Sequence, residues 1–103
     1  MMTQESTATV TKDKIADKFE EPGLYKVVFF NDDLTPMDFV VNVLITIFKH
    51  SEAKANKIMQ EVHTKGEGIA GVFTYEIAEQ KGVETTVLAR DSGFPLAIKV
   101  EPE

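Results

Sequence analysis

The sequence predicts a small α+β domain, with helices covering one face of a short sheet in the order β-α-α-β-α-β. Three observations carry that expectation. Two short runs, Leu24 to Phe30 and Ile69 to Phe73, are rich in β-branched and aromatic residues; apolar residues recur at helical spacing between and after them; and near the end they alternate with polar ones. A chain of 103 residues with 43% hydrophobic content suits one domain with a modest core.

Residues 1–22 are polar and of mixed charge, and bury too little apolar surface to offset the entropy of ordering, so they are expected to form a flexible arm before a domain over 23–103. Ile15 and Phe19 stand four apart within it and suit one side of a transient helix that docks on a partner. The first strand, Leu24 to Phe30 (LYKVVFF), stops at Asn31. Thr35 is expected to N-cap the next helix, with Pro36 in its first position and Asp38 facing its positive end.

Along that helix Phe39, Val40, Val43, Leu44, Ile47 and Phe48 form an apolar stripe, widened by Val41 and Ile45. A second helix starts near Ser51, carries Ala55, Ile58, Met59 and Val62 on one side, and ends before Gly66. His63 shares a face with Met59, four residues earlier. After Gly66-Glu67-Gly68 comes a strand from Ile69 to Phe73, then Thr74 as an N-cap and a helix from Tyr75 to about Arg90. Gly82 sits inside that helix at a cost of roughly 1 kcal/mol relative to Ala. Beyond Asp91-Ser92-Gly93, the alternation of Leu96, Ile98 and Val100 with Ala97, Lys99 and Glu101 predicts a last strand with one solvated face.

Composition excludes several classes of function. A formal charge of −6, with lysines and arginines scattered singly, argues against nucleic acid. No apolar run approaches the roughly 20 residues of a membrane span, and the N-terminus lacks a signal or transit pattern, so the chain is expected to be cytoplasmic and not membrane-bound. Without cysteine there is no disulfide, thiolate zinc site or cysteine nucleophile. The chain also lacks an HExxH pair, a nucleophile elbow and a P-loop, so neither catalysis nor a cofactor is expected.

The stretch Asn31-Asp32-Asp33-Leu34-Thr35-Pro36-Met37 packs an amide and two carboxylates between an apolar strand and a helix start. Such a corner can hold a cation that carries an apolar group. Taken alone, it equally suits a plain Asx turn with solvated acids, and His63 alone suits a histidine satisfied by a backbone carbonyl. Met59 and Val62 alone are core. No such account requires the joint pattern, in which the corner is followed by Val62-His63-x-x-Gly66-x-Gly68-x-x-Gly71-x-x-Thr74-x-Glu76-x-Ala78-Glu79-x-Lys81.

On these two motifs, and over about residues 24 to 100, the chain resembles the ClpS family, adaptors that deliver substrates with destabilising N-terminal residues to a Clp AAA+ unfoldase and protease. The resemblance implies three helices on a three-stranded antiparallel sheet, and an N-terminal arm that acts in handover. It implies that Asn31, Asp33 and His63 recognise a free α-amino group, with Asp32 on the adjoining peptide backbone. It places the side-chain pocket at Thr35, Met37, Val40, Met59, Val62 and Leu96, with Met37 as a gate against β-branched side chains, and the contact with the N-domain of a ClpA- or ClpC-type unfoldase at Glu76 and Lys81. The implied partners are N-degron proteins or peptides beginning with Leu, Phe, Tyr or Trp. Leu34, apolar beside the pocket mouth, and Gly82, in the helix bearing Lys81, depart from the family pattern.

The alternative functional class is a structural protein–protein interaction module of ribosomal-stalk-like topology. It accounts for the acidic charge and the arm but leaves Asn31, Asp32, Asp33 and His63 unused. A hydrolase or metal site built from His63 with Asp32 or Asp33, with or without His50, is opposed by the isolation of both histidines in sequence.

Overall fold

The computed structural model describes residues 23–103; the expected arm over 1–22, with Ile15 and Phe19, lies outside the described residues. Six elements follow in the expected order: β1 (Tyr25–Phe30), α1 (Met37–Thr46), α2 (Glu52–Lys65), β2 (Glu67–Phe73), α3 (Tyr75–Asp91) and β3 (Ala97–Pro102). The strands form one antiparallel sheet in the order β2-β1-β3, so the first strand in sequence is the central one. Its residues explain that placement. Tyr25, Val27 and Phe29 alternate onto the face that joins the helical core, where β-branched and aromatic side chains suit a strand paired on both edges.

On β3 the partners of Val27 and Phe29 are Val100 and Ile98, which pack against the same core. The other face carries Lys26, Lys99 and Glu101, with ammonium to carboxylate distances of 3.5 and 3.4 Å. Between Val27 and Val28 the β1–β2 register shifts, leaving Ala70 as the extra residue of β2. His50 donates from Nε2 to the Ala70 carbonyl, which the bulge leaves outside the ladder.

The second helix begins and ends where its sequence signals stand. The Ser51 hydroxyl accepts from the Lys54 N–H at 3.1 Å, and Gly66 closes the helix at φ +90°, a left-handed conformation that costs glycine little. Ala55, Ile58, Met59 and Val62 are its buried side. Gly82 is buried in α3, where a Cβ would stand 3.3 Å from Val100 Cγ2 and 3.7 Å from Ile98 Cγ2. The glycine inside the helix is therefore a point where α3 lies close on β3.

Two expectations need correcting at α1. Its N-cap is Pro36, with no side-chain cap, because the Thr35 hydroxyl is engaged by Asp32. The helix also stops at Thr46, although the apolar stripe continues through Ile47 and Phe48. Phe48 leaves the helix to enter the core beside Phe29, ring centroids 5.5 Å apart at 81°, and Lys49 makes the turn at φ +62°. The Ile47 carbonyl, left without a helical partner, accepts from Lys81 Nζ at 2.7 Å. At Thr74 the N-cap position is as expected, but its side chain makes no cap bond.

Candidate functional site

Asp32 builds the corner between β1 and α1. Its Oδ1 accepts the N–H groups of Leu34 at 2.8 Å and Thr35 at 2.6 Å, while its Oδ2 accepts the Thr35 hydroxyl at 2.8 Å. This is an Asx-type turn, in which a carboxylate takes donors from the residues two and three places on. Partial burial opposes ionisation of Asp32, yet the Thr35 N–H, the Thr35 hydroxyl, the Leu34 N–H and the Arg90 charge outweigh it. Together they hold the carboxyl below its ordinary value.

The turn sets Asn31 and Asp33 on either side of Asp32, both exposed. The Asn31 N–H donates to the Gly66 carbonyl at 2.9 Å, which ties the end of β1 to the end of α2. His63 lies in the last turn of α2 and is exposed, so the link brings the corner to the helix end that carries it. Among the described residues, the side chains of Asn31, Asp33 and His63 have no hydrogen-bond or ion-pair partner, in contrast to Asp32, which accepts three hydrogen bonds.

The apolar residues expected to line a side-chain pocket are mostly buried. Val40, Met59, Val62 and Leu96 are buried members of one core cluster, contributed by α1, α2 and the residue before β3. Gly68 fits α2 closely to β2 there, since a Cβ would come within 2.9 Å of Val62 Cγ2. Met37, the first residue of α1, is 45% exposed, and Leu34 is 73% exposed. Thr35 is half-buried between them. The remaining two predicted residues lie on α3, away from this corner in sequence and structure. Glu76 is exposed in its first turn, and the Lys81 ammonium reaches the Ile47 carbonyl while lying 5.9 and 5.5 Å from the ring centroids of Phe48 and Phe73.

A separate groove of about 590 Å³ runs between α3 and β3, lined by Tyr25, Tyr75, Val83, Val87, Ile98 and Val100 among others, and shares no residue with the corner. Among the described residues, no three His, Asp or Glu side chains are grouped to hold a metal ion. No described helix is long and apolar enough to cross a membrane.

A family model described as "ATP-dependent Clp protease adaptor protein ClpS" matches residues 20–99. The chain belongs to the ClpS family. It is 46% identical over 98 residues to the ClpS adapter protein of Acetivibrio thermocellus, covering 95% of this chain and 99% of that one. With the ClpS adapter of Hydrogenovibrio crunogenus it shares 49% identity over 84 residues, or 82% and 81% of the two chains. The structure of Agrobacterium tumefaciens ClpS2 bound to L-phenylalaninamide superposes with a TM-score of 0.77 at 42% identity, covering 81% of this chain and all of that one. ClpS proteins are adaptors of the Clp protease rather than enzymes.

Sequence reasoning missed two contributors to this ClpS corner. The Gly66 carbonyl, which ties the two halves together, left no signal beyond the glycine itself. Arg90, whose charge acts on Asp32, had a weak one: a cation in the last turn of a helix.

Proposed function

We propose that this chain binds the free α-amino end of proteins whose first residue is Leu, Phe, Tyr or Trp and delivers them to a ClpA- or ClpC-type unfoldase. The observation that carries this is the set of three unpartnered, exposed acceptor side chains, Asn31, Asp33 and His63, on two elements joined by the Asn31 to Gly66 bond. A protonated amine offers three donors, and an amide oxygen, a carboxylate and an imidazole nitrogen are three matching acceptors. An internal peptide bond has no such cation, so a site of this kind reads chain ends. Asp32, whose bonds to Leu34 and Thr35 shape the corner, has lone-pair capacity left for the ligand backbone.

The side chain of the first residue then enters between Thr35, Met37, Val40, Met59, Val62 and Leu96. Two methionines suit ligands of different shape, because the thioether stem is flexible and polarizable. Both halves of the ligand are needed. Burying a Leu or Phe contributes roughly 1.5–3 kcal/mol and each charge-assisted hydrogen bond roughly 1.5–3, whereas micromolar affinity needs about 8 after the cost of association.

L-Phenylalaninamide, the ligand of Agrobacterium tumefaciens ClpS2, supports the reading. It carries a free amine and an aromatic side chain, and its amide stands in for the first peptide bond of a chain. The exposed Glu76, together with Lys81, is assigned to the unfoldase contact, and the reading has the chain working in the cytoplasm. The test is a competition in fluorescence anisotropy. L-Phenylalaninamide should displace a labelled peptide that begins with Phe, and N-acetyl-L-phenylalaninamide should not; equal displacement by the two defeats the proposal.

A further inference from the structure

We infer that Arg90 is a positioning residue for the pocket, fixing the segment that places Leu96 and so setting which apolar first residues the site prefers. The inference rests on the proposed recognition of N-terminal residues. Arg90 Nη1 donates to two backbone carbonyls at once, Phe94 O at 2.9 Å and Leu96 O at 3.0 Å. Between them stands Pro95, which has no N–H with which to anchor the segment. Residue 94 is held from two further directions: its N–H donates to the Ala89 carbonyl at 2.8 Å, and its ring meets Phe39 of α1 edge-on at 5.0 Å. Leu96 is held on its carbonyl by Arg90 before the chain enters β3 at Ala97.

Leu96 is 1% exposed and shares the core cluster with Val40, Met59 and Val62, so its placement fixes one wall of the proposed pocket. Arg90 itself is exposed and touches the backbone, not the pocket, so its effect on a ligand is indirect. Its charge also helps to keep Asp32 ionised, which joins the far wall of the pocket to the turn that carries Asn31 and Asp33. Both carbonyls are met by one nitrogen, Nη1, whose N–H directions are fixed in the guanidinium plane, whereas a lysine ammonium is a freely rotating donor on a shorter stem.

Two variants separate geometry from charge: Arg90→Met removes both, and Arg90→Lys keeps the charge. Because the side chain is exposed, both should fold, which circular dichroism verifies. Dissociation constants are measured for peptides that differ only in beginning with Phe, Leu or Trp, and backbone amide shifts are recorded without ligand. The expected result is a change of roughly fivefold in the Phe to Leu affinity ratio in both variants, equivalent to about 1 kcal/mol. Shifts at Leu96 should accompany it, and lysine should not rescue the ratio. An equal loss for all three peptides, an unchanged set of affinities, or a ratio restored by lysine overturns the inference. If the wild-type chain discriminates free from acetylated ends while the variants keep its ratios, this inference alone fails. If the wild type binds neither, the functional reading fails and takes the inference with it.

Discussion

Replacing Asp32 tests whether one carboxylate holds the corner together. Asp32→Ala removes the acceptor for two backbone N–H groups and one hydroxyl, at 2.8, 2.6 and 2.8 Å. Hydrogen bonds to a charged acceptor are worth roughly 1.5–3 kcal/mol each, but they are not additive here. The Leu34 N–H is exposed and returns to water, so only the two part-buried Thr35 bonds are lost in full. Loss of a capping side chain, the nearest measured analogue, costs roughly 0.5–2 kcal/mol, and a destabilisation of about 1–2 kcal/mol follows. For a folded unit of this size that lowers Tm by about 4–16 °C. Asp32→Asn keeps an oxygen for the backbone donors and loses the charge, so its cost should be about half as large.

The same carboxylate gives the prediction a pH signature. In the folded chain the Asp32 carboxyl is held below its ordinary value of 3.8. Its contribution is therefore complete above that pH and is lost as the pH falls through the lower folded-state value. Urea denaturation of wild type and Asp32→Ala, followed by circular dichroism at neutral pH and again in acid, reads the difference directly. The gap should be widest at neutral pH and should close in acid. A gap below about 0.3 kcal/mol at neutral pH, within the scatter of ordinary surface substitutions, or one that does not narrow in acid, refutes the role given to Asp32.

Further predictions concern the gate, the docking face and the α3–β3 contact. Met37→Ala should admit peptides that begin with Ile or Val, because it shortens the half-exposed side chain at the pocket mouth; unchanged discrimination in an anisotropy titration counts against the gate. Glu76→Lys, on an exposed side chain, should leave Tm within about 2 °C while weakening binding to an isolated unfoldase N-domain, and full retention of that binding removes Glu76 from the contact. At Gly82, alanine gains roughly 1 kcal/mol of helix propensity but crowds Val100 at 3.3 Å, so the two effects nearly cancel. Gly82→Leu should cost about 1–3 kcal/mol by overpacking, and a leucine variant as stable as wild type would show that α3 does not lie as close to β3 as described.

What the sequence made legible follows from how local each signal is. Ser51 and Gly66 bracket α2 because both devices act within three or four residues, and the composition of LYKVVFF was enough to mark β1. Thr35 misled because Asp32, three residues away, competes for its hydroxyl, and sequence does not rank two uses of one donor. The apolar spacing ran on through Phe48 because core membership continues there although the helix does not: the ring needs a place beside Phe29, and Lys49 takes the strained conformation that provides it. Gly82, read as a weak point, is a point of contact, which depends on a strand that follows it by more than a dozen residues. At the site, the residue types of the corner and His63 were visible as a pattern. The bond that joins them, Asn31 to Gly66, and those from Arg90 that hold Phe94 and Leu96, run between backbone groups or onto them, where side-chain identity carries little information.

The central claim is that Asn31, Asp33 and His63 read a charged chain end, and removal of that charge tests it most directly. Isothermal titration with a peptide that begins with Phe, and with its N-acetylated twin, changes one group and leaves the side chain intact. An α-amino group has an ordinary pKa of roughly 7.7–8.0, so at pH 7 the free peptide is mostly the cation. The account predicts micromolar binding of the free peptide, about 8 kcal/mol, and a loss of at least about a hundredfold on acetylation, the minimum for removing two charge-assisted bonds. Equal affinity for the two peptides would contradict it.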